Sequence, residues 1–178
     1  MTRRIATARG SFRALCQIWS HASLTRGRKV ELYRSLVESR LMYGLVSCCF
    51  TVADLRRLDG FQARCLRKIV GVAPSFISRV SNKEVLRIAG HVKASEVLAD
   101  QQVKLLRKVL RAETTSQLHR SAFEPGTDQP AASRYVRRVG RPRREWVTTV
   151  ASEAHCRAPS QDLFKLAQDS YRWQEAVS

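Results

Sequence analysis

A chain of 178 residues is long enough to bury a core of its own without disulfides. Its 32 Lys+Arg against 15 Asp+Glu leave a net charge of +17, so the partners it favours are polyanions, not basic or neutral surfaces. No apolar run approaches the roughly eighteen residues needed to cross a bilayer as a helix, which argues against a membrane-spanning segment.

Residues 3–21 begin the chain with an apolar stripe, Ile5, Ala8, Phe12, Leu15 and Trp19, at helical spacing. The first thirty residues also carry Arg3, Arg4, Arg9, Arg13, Arg26 and Arg28 with no acid before Glu31. Mitochondrial transit peptides share that composition, and a basic domain helix shows it equally. A turn with Ser23, Thr25 and Gly27 leads to a second helix that begins near Arg28, carries Val30, Tyr33, Val37 and Leu41, and should pair with the first as a hairpin. Residues 43–50, YGLVSCCF, read equally as a helix end or a short buried strand, because neither period is clear.

The richest stretch is 51–90. Thr51 with Asp54, and Ser81 with Glu84, have the spacing by which two side chains satisfy orphan amides at a helix start. Helices are therefore predicted over about 52–70 and 82–89, with a loop holding Pro74 between them. In the first, Leu55, Leu58, Phe61, Cys65, Leu66 and Ile69 gather on one face. Arg56, Arg57, Arg64, Arg67 and Lys68 fall largely on the other. Gly71 and Gly90 stand where a left-handed cap needs a residue without a Cβ. A further helix over about 95–112 completes a five-helix core, placed in a first domain of residues 1–113.

From 114 to 144 the pattern breaks into a linker, with Pro125, Gly126, Asp128 and Pro130 among polar residues. Six arginines then crowd the eleven positions 134–144, where Gly140 and Pro142 prevent a continuous helix. Arg137, Arg138, Arg141, Arg143 and Arg144 project from an extended segment suited to RNA or a groove, with Tyr135 and Trp146 beside it for stacking; a basic tail or localisation patch has the same composition. Residues 145–178 form an appendage of two short helices, about 145–155 and 160–177. The predicted class is all-α.

Residues 1–120 alone hold 23 basic against 8 acidic side chains, a net of +15, so the helical part is itself one-signed. Arg outnumbers Lys by 25 to 7, and guanidinium presents a planar fork that matches phosphate oxygens. RNA, DNA or an RNA–DNA hybrid is the expected partner. The five cysteines, 16, 48, 49, 65 and 156, form no CxxC pair, and the neighbours His155 and Cys156 lack a second pair of ligands, so reduced and mostly buried thiols are expected, without a metal. The four histidines sit in no catalytic motif, and no phosphate-binding glycine loop occurs; no catalytic residue and no cofactor are expected.

The runs SRLMYGLVSCCF, TVADLRRLDGFQARCLRKIVG, SNKEVLRIAG and RRVGRPRREWV, with the closing AQDSYRWQEAV, resemble the C-terminal region of non-LTR (LINE-type) retrotransposon reverse transcriptases. The resemblance covers nearly the whole chain and is most specific at 54–67 and 81–86. It implies a helical thumb and post-thumb segment that holds RNA–DNA backbone, in the nucleus or cytoplasm. Polymerases of that family need paired palm aspartates for two metal ions. This chain has no Asp-Asp dipeptide, nor the endonuclease signature or Cys-His knuckle of some relatives. The implied fragment is thus a non-enzymatic binder, with a non-functional relic, or a subunit whose palm lies on another chain, as alternatives.

Overall fold

The computed structural model describes residues 1–21, 23–124, 145–153 and 160–177. Among them the chain is all-α, without a strand, as α1 (Thr2–His21), α2 (Arg26–Tyr33), a π-helical turn (Arg34–Glu38), α3 (Ser39–Met42), α4 (Val52–Val70), α5 (Ser75–Ser78), α6 (Asn82–Ala89), α7 (Ala94–Arg111), α8 (Gln117–Ala122), α9 (Trp146–Glu153), α10 (Ser160–Gln168) and α11 (Ser170–Val177). None of the described helices is long and apolar enough to cross a membrane.

Contacts divide the chain into two compact units, residues 1–45 with 50–98, and 46–49 with 99–178. The boundary differs from the expected break after residue 113. It falls inside α7, whose apolar face passes from one core to the other without a change in helical pattern. Nothing local in the sequence signals that switch.

In the first unit the stripe Ile5, Ala8, Phe12 and Leu15 is buried, with Trp19 half-buried, so α1 is a packed domain helix. It lies against the π turn, α3 and α4. The predicted second helix runs from Arg26 to Met42 with the π turn embedded in it. Widening one turn rotates the following face, so that Val37, Glu38, Leu41 and Met42 all come to be buried. Thr25 caps this helix by accepting from the Arg28 amide. Residues 43–50 resolve the ambiguity as neither helix nor strand: α3 ends at Met42 and a turn follows, with Gly44 at φ 71°.

Helix α4 carries the centre of this core. Leu58 and Leu66 are fully buried, and Phe61, Cys65 and Ile69 nearly so, each large aliphatic side chain contributing roughly 1.5–3 kcal/mol. Two polar side chains on the same helix organise the start of α7. Gln62 Oε1 accepts from the Ala94 amide at 2.8 Å while its Nε2 donates to the Val92 carbonyl at 2.8 Å. Asp59 accepts from the Ser95 amide at 2.9 Å and from the Ser95 hydroxyl at 2.8 Å. A carboxylate from one helix thus caps the N-terminus of another, where amides lack partners and the dipole favours negative charge.

In the second unit, α7 from Ala99 onward contributes Val103, Leu106, Val109 and Leu110 to a core with Phe123, Val147, Val150, Leu163, Ala167 and Trp173. The segment Val46–Cys49 belongs here because side chains satisfy its carbonyls: Gln102 Nε2 donates to Cys48 O at 2.8 Å, and Trp146 Nε1 donates to Val46 O at 2.9 Å. The region expected to be linker contains α8, capped by Ser116 accepting from the His119 amide. The expected last helix is two. It breaks at Asp169, which accepts from the Tyr171 and Arg172 amides and restarts the chain as α11.

Candidate nucleic-acid interface

The candidate surface starts from the way α4 begins and ends. Thr51 accepts from the Asp54 amide at 3.2 Å while Asp54 accepts from the Thr51 amide at 3.4 Å, a reciprocal capping box. The Thr51 hydroxyl also donates to Asp54, and that bond above all holds the Asp54 carboxyl below the usual range, with the chain's N-terminus and Arg57 helping. Gly71, at φ 76°, closes the other end in the left-handed conformation expected of it. The second predicted box is half-formed: Ser81 accepts from the Glu84 amide, but the Glu84 carboxylate pairs with Arg87 at 2.6 Å instead of returning to the cap.

Between its caps, α4 exposes Arg56, Arg57, Arg64 and Lys68. At 100° per residue Arg57, Arg64 and Lys68 share one stripe, and Arg56 flanks it. Gly60 opens the same stripe, and the Arg64 Nε folds back to donate to its carbonyl at 3.1 Å.

Arg67 does not belong with them. It is only 6% exposed, and its guanidinium donates to Ala73 O, Val80 O and Asn82 Oδ1 at 3.0, 2.5 and 3.0 Å, with Ser78 Oγ at 3.4 Å. Its position on α4 turns it toward the loop that returns to α6, where it satisfies the Val80 carbonyl and joins the Ser78 hydroxyl at the Ala73 carbonyl. Expected as a phosphate contact, it is a structural clamp for that loop, because its donors already have acceptors.

Residues outside the expected set extend the surface. The N-terminus of α1 lies within electrostatic reach of Asp54, and Cys16 of Cys65, so α1 and α4 run side by side in the same direction. Arg9 joins Arg64 and Lys68 around Cys65, whose thiol is pushed up to about 12 chiefly by burial although those cations pull it down. Arg13, four residues beyond Arg9 and exposed, continues this edge of α1. A clue was available in the helical period, since Arg9 and Arg13 border the apolar stripe on the side of Cys16.

The charges on this face are unopposed. Among the described residues Arg9, Arg13, Arg56, Arg57, Arg64 and Lys68 form no ion pair, whereas Arg28, Arg87, Lys93 and Lys104 pair with Glu31, Glu84, Glu96 and Asp100. Nearby carboxylates are engaged elsewhere, Asp54 in its cap and Asp59 at the start of α7. Unpaired guanidinium groups flanking a helix pair can hold phosphate oxygens in charge-assisted hydrogen bonds.

Of the remaining expected contacts, Arg137, Arg138, Arg141, Arg143 and Arg144 lie outside the described residues, as do His155 and Cys156. Cys16 and Cys65 are free thiols. The expectation of mostly buried cysteines holds for Cys65; Cys16 and Cys49 are half-buried and Cys48 is exposed, because residues 43–50 form a turn. Among the described residues no three His, Cys, Asp or Glu side chains converge as a metal centre would require. No family model, curated protein or solved structure matches this chain.

Proposed function

We propose that the first unit is a nucleic-acid-holding helical module without chemistry of its own, gripping the phosphate backbone of RNA, DNA or an RNA–DNA hybrid along the α1/α4 edge. The observation that carries this reading is the set of unpaired cations, Arg9, Arg13, Arg57, Arg64 and Lys68, on adjacent helices whose carboxylates are engaged in caps. The resemblance of 51–90 and of the chain's end to LINE-type reverse transcriptases gives the module its proposed context, a thumb-like part separated from the palm. In that context binding is governed by phosphate count and salt, with little dependence on base sequence.

A second reading is a subunit that docks on a palm-bearing chain. Phe76 and Ile77, adjacent on α5 and 83% and 65% exposed, favour it. A non-functional relic would expose the same residues and bind neither partner.

The test is a fluorescence-anisotropy titration of the purified chain against RNA–DNA hybrid, duplex DNA and single-stranded RNA at two salt concentrations. An Arg57→Gln/Arg64→Gln/Lys68→Gln variant, altered only at exposed positions, should flatten the salt dependence on duplex DNA by about three contacts' worth, a slope change of roughly 2.7. Absence of binding by the folded protein would remove the proposal.

A further inference from the structure

The second unit contains a cleft of about 960 Å³ between α7 and α11. Its wall is a row of cations on one face of α7, namely Lys104, Arg107, Lys108 and Arg111, and Trp173 of α11 lines it. Trp173 is itself only 4% exposed, so the indole forms a fixed base to the cleft and not a mobile flap. Lys104 is held by Asp100 at 2.7 Å, at the N-terminal end of the row. Arg107 is half-buried, with its Nε directed to Ala167 O at 3.4 Å. Lys108 and Arg111 are exposed, and among the described residues neither they nor Arg107 has a carboxylate partner.

These positions fall at steps of three, one and three residues, which keeps them in register on one side of the helix. From Lys104 to Arg111 the row spans about 10.5 Å along the axis. A single phosphate does not use such a row; a chain of linked phosphates does. The favourable interaction of cations with the C-terminal end of α7 explains a bias toward Lys and Arg there, but not a cleft with a buried aromatic base beneath them.

We propose that this cleft is a second anion site, which binds a run of linked phosphates, either the backbone of a nucleic-acid strand or a free oligophosphate. Arg107 is anchored as the pre-positioned donor at the wall, Lys108 and Arg111 close on the outer oxygens, and the Lys104–Asp100 pair marks the end of the site. The site is independent of the α1/α4 edge and lies in the other unit, so either can exist without the other.

Lysine acetylation footprinting of the full chain tests both sites at once, with a labelled 15-nucleotide single-stranded RNA and with inorganic tripolyphosphate as separate ligands. Lys108 should become protected while Lys83, exposed on α6, keeps its reactivity. Protection by the RNA alone identifies a strand as the ligand, by tripolyphosphate alone a free oligophosphate, and by both the phosphate chain irrespective of carrier. Lys68 reports the α1/α4 edge in the same sample, so protection of Lys68 without Lys108 overturns the cleft and leaves the other surface standing. Protection of Lys108 without Lys68 does the reverse. The Lys108→Gln/Arg111→Gln variant, changed only at exposed positions, should lower the salt slope for a protecting RNA by about 1.4, or for tripolyphosphate weaken severalfold the protection of Lys104, the lysine of the row that remains. An unchanged slope or unchanged protection in that variant overturns the proposal.

Discussion

His91 Nε2 stands 3.1 Å from Glu38 Oε2, with both side chains almost wholly buried. The other ring nitrogen, Nδ1, lies 2.9 Å from the Val92 carbonyl and 3.3 Å from Gln62 Nε2, so it donates to the first when the ring is protonated and accepts from the second when it is neutral. The hydrogen bond to Glu38 raises the His91 pKa above its ordinary 6.5, against burial and the Arg34 charge, which lower it. A pKa raised by folding means stability that is fully present below 6.5 and is lost as pH rises through the elevated folded value. Urea unfolding midpoints should therefore fall on the alkaline side of 6.5, and Glu38→Gln should remove most of that slope. An equally steep slope in the variant would place the titration elsewhere.

The buried guanidinium of Arg67 separates folding from binding. Removing it strands the Val80 carbonyl, at a cost of about 1–3 kcal/mol, and leaves the Ala73 carbonyl to the Ser78 hydroxyl. Arg67→Met should accordingly destabilise the protein by roughly 1–3 kcal/mol in denaturant titration, beyond the ordinary range for surface changes. Arg64→Gln, one turn away and exposed, should stay within about 0.5 kcal/mol and act on nucleic-acid affinity instead. A neutral Arg67→Met would return that residue to the surface set.

Local chemistry was the legible part of this chain. The Thr51–Asp54 box, the caps at Ser81, Gly71 and Gly90, and the buried face of α4 all follow from side chains within one or two turns of one another. The direction of Arg67 was not legible, because its acceptors come from a loop six to fifteen residues away whose path depends on α6. Asp59 and Gln62 looked like ordinary polar positions on α4; their partners are more than thirty residues distant. The π turn and the change of core along α7 likewise arise from packing, which periodicity records only as continued amphipathicity. On the candidate surface, Arg56, Arg57, Arg64 and Lys68 were found by helical spacing, whereas Arg9 joined them only once α1 was placed beside α4.

The link between Asp59 and Ser95 makes the start of α7 depend on α4. Asp59→Ala removes two hydrogen bonds and a negative charge from a helix N-terminus, a loss of about 1–2 kcal/mol. Hydrogen exchange should locate the effect: amides in the first turn of α7 should lose protection first, with those in the middle of α4 unaffected below the global unfolding limit. Uniform loss across both helices would mean that the contact supports the whole unit and not one helix end.

His119 presents the opposite case, a polar ring whose burial is not compensated. It is 1% exposed and packs against Phe123 at 4.9 Å and Phe164 at 6.0 Å between ring centroids, and neither ring nitrogen has a hydrogen-bond partner among the described residues. A buried unpaired donor costs about 1–3 kcal/mol, and a phenyl ring keeps the aromatic contacts without that cost. His119→Phe should raise the unfolding free energy by about 1 kcal/mol, less than the full desolvation cost because the larger ring must be accommodated. Calorimetry of the two proteins decides the matter. A lower Tm in the variant would show that the nitrogens of His119 are engaged in solution and that the aromatic cluster depends on its polarity.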